Sequence, residues 1–542
     1  MWKNIAVVGL AVVAIAQTLR DPLSSVPPGS IYGRVTDQST NLPLAGVSVY
    51  VSYYFRRISA VTDATGRYIL PGLGPGQYEV KATSGTVWTT DTVALRTSRD
   101  RAALDFRLPF GAISGTVVDY DRRPVAGFSV LLIQGQYLLG ELRYTLAGVT
   151  TTDRKGQYFL KGVVPGRRYA LLAKQTATAL LASSRAPVAP ESRRSIPAPT
   201  YYPSSPEIEA APPVLVRPGE ALGGVDVRMG QSRNYCIEGV LEPVAGALSF
   251  QLFEEYPTDG FSTLQGPKLA LMPPRGRTGI DGRIRVCDLH PGTYRLTAQQ
   301  DTPDSVALFG SMPVVITDRD RRDVHLQARQ AQSISGRVVW DGTPPALSDG
   351  RSITVRLQPF NRGVFPRESL EARAVIPGSF VLDRVLLDDF AVVVSDLPDA
   401  FYVKEVSFAG RSVLREPLRL SSGSGSAELR VVVARDGGYI HAQVTDRSGK
   451  PVPEPFVFIF PSSAASEPAL AASLVSGETD RIGRYYSRAL PPGKYRVLAS
   501  TTALDGSADG IGKLLRARSW AKEVEVLPGG IAEIELLPVA ID

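Results

Sequence analysis

One sequence pattern recurs five times along this chain, and this repetition constrains the fold more than any other feature. Each copy opens on a short apolar segment that contains a small residue, and two aromatic or apolar positions follow. The small residue is Gly33, Gly115, Gly239, Gly336 or Ala442, and the later positions are Tyr68 and Tyr78, Tyr158 and Tyr169, Ile284 and Tyr294, Phe380 and Phe390, and Tyr485 and Tyr495. The later two lie 10 or 11 residues apart in every copy, which indicates five copies of one structural unit.

Two turn motifs accompany these positions. A Thr-Asp-x-x-Gly-x-Tyr segment begins at Thr62, Thr152 and Thr479, and a Pro-Gly turn that leads into the second tyrosine begins at Pro75, Pro165, Pro291 and Pro492. Copy three keeps only part of the first motif, and copy four has lost both. The tyrosine after each Pro-Gly turn is expected to pack in the core and to bond nearby backbone, as a tyrosine corner does.

The aspartates of the first motif, Asp63, Asp153 and Asp480, allow two interpretations. They could bind Ca²⁺, or each could cap its own turn by accepting hydrogen bonds from the backbone. One carboxylate per turn is too few for an ion that takes six to eight oxygen ligands. We therefore interpret them as turn caps.

Each copy ends in a segment of alternating polar and apolar residues, such as Leu104–Leu108 and Ile534–Leu537. Alternation with period two is typical of half-buried strands, and no segment shows helical periodicity. The chain also holds 50 Gly and 42 Pro, residues that punctuate short strands with turns. The sequence therefore predicts an all-β protein, a tandem string of about five Greek-key-type β-sandwich modules.

The repeated pattern resembles the carboxypeptidase regulatory-like domain, a transthyretin-like or prealbumin-like β-sandwich, and is similar to the B-type repeats of collagen adhesins. Multi-copy chains of this kind look like proteins that bacteria secrete. The resemblance is strongest in copies one, two and five. Adhesin repeats of this type often carry a Lys–Asn cross-link, but no copy has a Lys beside the opening small residue. We therefore do not expect this cross-link in the present chain.

The repeats predict the following division of the chain. We expect a signal peptide at 1–16, a linker at 17–27, and modules 1 to 5 at 28–108, 109–230, 231–329, 330–434 and 435–542, with a Pro/Ser-rich loop at 182–214 and a degenerate module 4. The joins between modules are short, and short joins restrict the angle between neighbours.

The first residues predict export. Lys3 precedes an apolar run from Ile5 to Ala16 that ends in small residues, as in a secretory signal. The run is shorter than the ~20 residues that span a bilayer, and no later run is long enough. A retained anchor and a buried strand are the alternatives. We expect a secreted, periplasmic or cell-surface protein without a membrane span after signal removal.

Composition and motifs disfavour several classes of function. The net charge is +7, but acidic and basic residues alternate, as in Asp318–Asp323, whereas nucleic-acid binding needs a basic stripe. The three histidines, His290, His325 and His441, show no metal-ligand spacing, and no nucleophile elbow is present. We expect no enzyme activity, no cofactor and no bound metal.

The only cysteines, Cys236 and Cys287, fall in two strands of module 3. An exported chain meets oxidising conditions, in which such a pair forms a disulfide. Two buried thiols are the alternative. We expect the disulfide, as a reinforcement of module 3.

Five aromatic residues are candidates for stacking on a sugar ring: Tyr53, Tyr54, Trp88, Tyr201 and Tyr202. If buried, they would instead fill the sandwiches. The leading hypothesis is a non-catalytic spacer, scaffold or adhesin at the cell envelope. The alternatives are an extracellular carbohydrate-binding protein and an accessory subunit of an exported enzyme or receptor. The partner would be a polysaccharide or another envelope protein, and the sequence leaves the oligomeric state open.

Overall fold

A computed structural model describes residues 26–541 apart from 54–55, 176–194, 244–247, 255–274, 280, 303–304, 343–351, 360–369, 398–400, 421–426, 453, 503 and 505. The predicted signal peptide, most of the linker and the first part of the predicted 182–214 loop lie outside the described residues. The chain divides into two compact units between Phe110 and Gly111. No helix in the described part of the chain is long and apolar enough to cross a membrane.

The first unit contains one pair of sheets, module 1. Its strands are β1 (Ser30–Asp37), β2 (Ser48–Tyr53), β3 (Arg56–Val61), β4 (Arg67–Leu70), β5 (Gly76–Ser84), β6 (Val87–Leu95), β7 (Arg101–Ala103) and β8 (Phe106–Leu108). One sheet has the order β4-β1-β7, with β8 also on β1, and the other has the order β3-β2-β5-β6.

The second unit begins with modules 2 and 3. Module 2 comprises β9 (Gly111–Val118), β10 (Ser129–Leu138), β11 (Glu141–Thr151), β12 (Gln157–Val163), β13 (Arg168–Lys174), β14 (Ser195–Pro197), β15 (Thr200–Tyr201), β16 (Val214–Leu215), β17 (Ala221–Leu222), β18 (Val227–Arg228) and β19 (Gln231–Arg233). Module 3 comprises β20 (Tyr235–Glu242), β21 (Ser249–Glu254), β22 (Arg275–Arg277), β23 (Arg283–Leu289), β24 (Gly292–Thr302), β25 (Ser305–Ile316), β26 (Arg321–Gln327) and β27 (Arg329–Gln330). The described end of the predicted 182–214 loop thus supplies two short strands, β14 and β15.

Modules 4 and 5 complete the second unit. Module 4 comprises β28 (Gln332–Trp340), β29 (Ser352–Pro359), β30 (Leu370–Val375), β31 (Gly378–Val385), β32 (Asp389–Ser395), β33 (Tyr402–Phe408), β34 (Arg411–Ser412), β35 (Leu418–Arg419) and β36 (Leu429–Ala434). Module 5 comprises β37 (Tyr439–Val444), β38 (Phe456–Pro461), α1 (Glu467–Ala471), β39 (Val475–Glu478), β40 (Arg484–Tyr486), β41 (Gly493–Ser500), α2 (Ala508–Arg516), a 3₁₀ turn (Ala517–Trp520), β42 (Lys522–Val526) and β43 (Ile531–Leu536).

The same strand order recurs in the pairs of sheets, as the sequence repeat predicts. The opening strand lies between the strand of the first aromatic or apolar position and a strand near the end of the module, in the orders β4-β1-β7, β12-β9-β17, β23-β20-β26, β31-β28-β36 and β40-β37-β43. It is antiparallel to the former and parallel to the latter. The all-β sandwich class is therefore confirmed, whereas the five module boundaries stay predictions.

In modules 1 to 3 the small residue of the opening strand makes room for a backbone carbonyl, whereas Gly336 of module 4 makes room for the Phe380 ring. A Cβ on Gly33 would lie 1.8 Å from the carbonyl oxygen of Leu104, and a Cβ on Gly115 would lie 2.1 Å from that of Val225. In each case the carbonyl accepts a hydrogen bond from the first tyrosine of the repeat, with Tyr68 Oη at 2.7 Å from Leu104 O. The opening glycine and the first tyrosine of the repeat thus mark a place where three strands are in contact.

Module 5 carries Ala442 where the other copies have Gly, and its strand pairing explains why. In module 1 the opening strand pairs first with β7 and then with β8, and Leu104 lies at the break. In module 5 the opening strand pairs with β43 without a register shift, from Tyr439 to Val444. Because no break turns a carbonyl toward Ala442, its methyl group fits.

The aspartates of the Thr-Asp motif cap their own turns. Asp63 Oδ1 accepts hydrogen bonds from the backbone N–H groups of Thr65 (2.8 Å) and Arg67 (2.9 Å). These bonds favour the ionised carboxylate and hold the pKa of Asp63 below its ordinary value, the bond from Arg67 contributing most. The preceding Thr62 accepts a hydrogen bond from Val47 N–H and donates one to Leu44 O, which ties the turn to the segment between β1 and β2.

The Pro-Gly tyrosines bond backbone carbonyls four or five residues earlier in the chain. The hydroxyls of Tyr78, Tyr169, Tyr294 and Tyr495 donate to Gly74 O, Val164 O, His290 O and Pro491 O at 2.7–2.9 Å. All four rings are buried. The structural interpretation of these tyrosines is confirmed.

Module 4 forms a sandwich although it lacks both turn motifs. Its core includes Ile334, Val355, Phe380, Phe390 and Val431, each at most 5% exposed. Burial of such apolar side chains is the main favourable contribution to folding. The alternating apolar pattern is therefore sufficient here without the repeated turns.

Candidate functional site

The candidate stacking residue Trp88 lies on the outer face of the sheet β3-β2-β5-β6. Its side chain is 38% exposed, and Lys81 Nζ lies 4.8 Å from its ring centroid. On β2, opposite Lys81, the Tyr50 ring is 6% exposed and lies under the Arg57 guanidinium, 3.4 Å from the centroid. Arg57 therefore occupies one ring face of Tyr50, and Trp88 presents the more accessible ring. Sugar stacking on Trp88 stays a prediction.

The other four candidates lie in different surroundings. Tyr53 ends β2, but its side chain and all of Tyr54 lie outside the described residues. Tyr201 is 4% exposed and packs with Leu131, Ile133, Leu172 and Ile208 on the outer side of module 2. Tyr202 is half-buried against the core of module 2. Both rings are thus largely enclosed by protein, and a stacking role for them remains a prediction.

Cys236 and Cys287 form the expected disulfide. They lie on the adjacent strands β20 and β23, with Cα atoms 4.0 Å apart, and both are half-buried at the edge of the module 3 core. The bond closes a segment with a sequence separation of 51 residues. Since this separation spans about half of the module, the bond restricts the unfolded chain of module 3.

The three histidines lie far apart in the fold. His290 follows β23, His325 lies on β26, and His441 lies on β37 beside Tyr486, with ring centroids 4.7 Å apart. Within the described residues, no group of three or more His, Cys, Asp or Glu side chains could hold a metal ion.

The β10–β11 hairpin of module 2 contacts module 5, which is not its neighbour in sequence. Tyr137 Oη donates a 2.7 Å hydrogen bond to Glu467 Oε2 on α1, and a backbone bridge joins Gln136 to Ser507. Burial and the bond to Glu467 raise the pKa of Tyr137. Lys513 Nζ on α2 donates to Gly166 O of module 2 at 3.0 Å. Side chain, backbone and helix thus all take part in this contact, which we call the clasp.

The helices of module 5 form the other half of the clasp. They cover the outer face of the sheet β39-β38-β41-β42, where Phe458, Phe460 and Leu498 pack against Leu470 of α1 and Leu514 of α2. The Tyr137 ring packs against the same cluster. These helices were not expected from the sequence. Ser507 N-caps α2, and the apolar spacing of Ile511, Leu514 and Leu515 is a helical signal, but two glycines weaken it.

The tip of the same hairpin contacts module 4. Glu141 Oε2 pairs with Arg143 at 3.2 Å and its Oε1 pairs with Arg419 at 3.5 Å. Arg419 also lies 3.9 Å from Asp389. Burial raises the pKa of Asp389, although Arg419 opposes this. The hairpin therefore has charged contacts to module 4 and both apolar and polar contacts to module 5.

A cleft of about 250 Å³ lies where the hairpin meets α2. Leu142 and Tyr144 of β11 form an apolar wall, and Arg167, Arg168 and Arg516 contribute guanidinium groups. Gly135 leaves space beside this wall, because a Cβ there would lie 3.0 Å from Ala508 Cβ and 3.1 Å from Leu142 Cδ1. Burial, with a contribution from Glu209, raises the pKa of Tyr144. The cleft combines an apolar wall with positive charge.

Residues 30–109 match the family model described as the carboxypeptidase regulatory-like domain. Module 1 is therefore similar to a carboxypeptidase regulatory-like domain. The match begins at the first residue of β1 and ends one residue after β8, so the domain coincides with the sandwich of the first unit. This domain carries Trp88, whereas the clasp and the cleft belong to the second unit.

Comparison with other proteins adds the following similarities. No curated protein is significantly similar in sequence. Among solved structures, the chain is similar to the Bacillus anthracis TIE protein (9% identity, 86% of this chain and 71% of that chain, TM-score 0.16). It is also similar to BcpA, the major pilin subunit of Bacillus cereus (12%, 56% and 100%, 0.15), and to GBS52, the minor pilin of Streptococcus agalactiae (13%, 44% and 100%, 0.18). The low TM-scores show that whole-chain superpositions are poor.

Proposed function

We propose that this protein is a non-catalytic scaffold or adhesin of the cell envelope, and that the clasp holds modules 2 to 5 in one arrangement. The observation that carries the proposal is the contact between Tyr137 and Glu467, which lie 330 residues apart in the chain. An extended spacer gains reach by keeping distant modules apart, whereas a scaffold or adhesin gains from holding them in a fixed geometry. The clasp therefore favours a scaffold or adhesin over a spacer.

Two features support an exported location. The first 16 residues have the composition of a secretory signal. Cys236 and Cys287 form a disulfide, and such bonds persist in oxidising compartments. We propose that the mature protein acts in the periplasm, at the cell surface or outside the cell.

The strength of the clasp can be estimated from its contacts. The bond from Tyr137 to the Glu467 carboxylate is charge-assisted and contributes about 1.5–3 kcal/mol, and the bond from the Lys513 ammonium to Gly166 O is of the same class. The packing of Tyr137 against the apolar cluster of module 5 adds to these. Interactions of this strength are sufficient to keep two modules of the same chain in contact for most of the time.

An engineered disulfide tests the clasp directly. A Cβ on Gly140, at the hairpin tip, would lie 3.8 Å from Ala472 Cβ at the end of α1, which is the usual separation in disulfides. We expect the double variant Gly140→Cys/Ala472→Cys to form this bond on oxidation, and peptide mapping by mass spectrometry to find it alongside Cys236–Cys287.

The matched control is Gly162→Cys/Ala472→Cys. Gly162 also has a positive φ, 69° against 79° for Gly140, but a Cβ there meets nothing within 4 Å. The backbone strain of the substitution is therefore similar, and only the proximity to Ala472 differs. Equal cross-linking of both pairs, or none at Gly140, would contradict the clasp and with it the proposed scaffold.

A further inference from the structure

The cleft beside the clasp has more positive charge than its own residues neutralise. Arg168 and Arg516 are exposed and form no ion pair with any described residue, and Arg167 donates to Gln134 Oε1 at 3.0 Å. These three guanidinium groups approach one cleft from β13 and its preceding turn and from α2. Guanidinium groups bind carboxylate and sulfate oxygens through paired, charge-assisted hydrogen bonds.

The two carboxylates in the cleft already have partners. Glu467 accepts a hydrogen bond from the hydroxyl of Tyr137, and Asp509 pairs with Lys513 at 3.3 Å. The Tyr137 hydroxyl is neutral, so Glu467 keeps its charge, whereas the charge of Asp509 is balanced by Lys513; the three guanidinium groups therefore outnumber the one remaining carboxylate charge of the cleft. Each carboxylate has further lone pairs and can accept an additional hydrogen bond from a ligand hydroxyl.

The size and the wall of the cleft limit the ligand. At about 250 Å³ the cleft is smaller than the roughly 300–1,000 Å³ of sites for drug-sized molecules, so it suits one small ring. Leu142 and Tyr144 offer an apolar surface against which one face of such a ring can pack. An acidic peptide side chain would use the arginines but would bring neither a ring face nor hydroxyl donors.

We propose that this cleft binds an anionic sugar residue, carboxylated or sulfated, of an acidic polysaccharide. The anionic group would bind Arg168 and Arg516, the ring would pack on Tyr144 and Leu142, and its hydroxyls would donate to the carboxylates. The inference rests on the proposed function, because the cleft exists only while module 2 contacts module 5. It adds a class of ligand, the acidic polysaccharides, to the proposed role as an adhesin.

The test is calorimetric titration of the full-length protein with four probes. These are a trigalacturonate, a sulfated galactose trisaccharide, the neutral galactose trisaccharide and a triglutamate peptide. We expect at least one anionic sugar to bind ten-fold or more tightly than the neutral sugar and the peptide. The two anionic sugars distinguish carboxylate from sulfate. The affinity should fall as salt is raised, because exposed charges are screened.

Variants of the cleft arginines test whether this binding takes place in the cleft. Arg168→Gln and Arg516→Gln should each weaken it about ten-fold or more, since each removes a charge-assisted hydrogen-bond donor. The matched control is Arg154→Gln, which removes the same charge from an exposed turn of module 2 away from the cleft and should leave the affinity unchanged. Equal loss in all three variants would overturn the assignment, as would tightest binding of the neutral sugar or the peptide.

The Gly140→Cys/Ala472→Cys variant separates this proposal from the scaffold proposal. If the cross-link forms and the oxidised protein binds no anionic sugar, the ligand assignment is wrong and the clasp stands. If the cross-link does not form, the clasp itself is wrong. The same cross-link, introduced into the arginine variants, reports whether they keep the clasp, so that loss of binding is not confused with loss of structure.

Discussion

Substitution of Gly33 tests the most specific rule that the repeat encodes. In Gly33→Ala the new Cβ would lie 1.8 Å from Leu104 O, whereas ordinary contacts begin at 3.4 Å. The opening strand would have to move away from this carbonyl by more than 1 Å. The displacement would strain or break two hydrogen bonds, Leu104 N–H to Tyr32 O (2.8 Å) and Tyr68 Oη to Leu104 O (2.7 Å).

The expected cost follows from these contacts. Two hydrogen bonds contribute about 1 kcal/mol each, and overpacking at a rigid site costs about 1–3 kcal/mol. The alanine also reduces the entropy of the unfolded chain, which stabilises the folded state by about 0.4–1 kcal/mol. We therefore expect Gly33→Ala to lower the free energy of unfolding of module 1 by about 3 kcal/mol.

Hydrogen exchange read by mass spectrometry is the suitable assay, because a multidomain chain does not unfold in two states and peptides from β1 to β8 report module 1 separately. The control is Gly74→Ala, in the same module, where a Cβ meets nothing within 4 Å and the change should be neutral or slightly stabilising. If the two variants differ by less than about 1 kcal/mol, the carbonyl contact is not the reason for the conserved spacing of small residues among the copies.

Three further outcomes are expected. Replacing both Cys236 and Cys287 by Ala should destabilise module 3 by about 4 kcal/mol, since the bond closes a separation of 51 residues, and hydrogen exchange should change there and not in module 1. Tyr78→Phe should cost about 1 kcal/mol through its lost bond to a backbone carbonyl, whereas the exposed Tyr486→Phe should cost nothing measurable in the same exchange assay. The pKa of Asp63 is lowered in the folded state, so its contribution is present above its ordinary value of 3.8 and is lost as pH falls through the folded pKa. The protection of the turn amides, which is their exchange rate relative to that of an unstructured chain at the same pH, should therefore fall at acid pH, and Asp63→Asn should remove this dependence.

Apart from the disulfide, the elements that could be predicted from the sequence share one property: their interactions are short in sequence and repeated. Asp63 caps a turn whose donors lie two and four residues away, and Tyr78 bonds a carbonyl four residues away. Such contacts leave the same residues at the same spacing in several copies, so they can be recognised without a structure. The pairing of Cys236 with Cys287 was recognisable because the chain has no other cysteine.

Other features had weak or ambiguous signals. Helix α2 has an N-cap at Ser507 and an apolar face, but Gly510 and Gly512 lower its helix propensity, and no other copy repeats it. At the end of a strand, the alternation of polar and apolar residues does not distinguish a buried aromatic side chain from an exposed one. The enclosure of Tyr201 and the partial exposure of Trp88 therefore appear only in the packed structure.

The sequence by itself determined the sandwich, its repeat and the turns that connect its strands, because strand alternation and turn capping are local. Only the tertiary structure decided that the β10–β11 hairpin meets α1 and α2. Tyr137 and Glu467 carry no shared motif, and their contact depends on the relative orientation of four modules, to which every intervening join contributes. Arg516 lines the same cleft as Arg167 and Arg168 for the same reason: its position relative to them follows from how the modules pack, and no spacing along the chain encodes it.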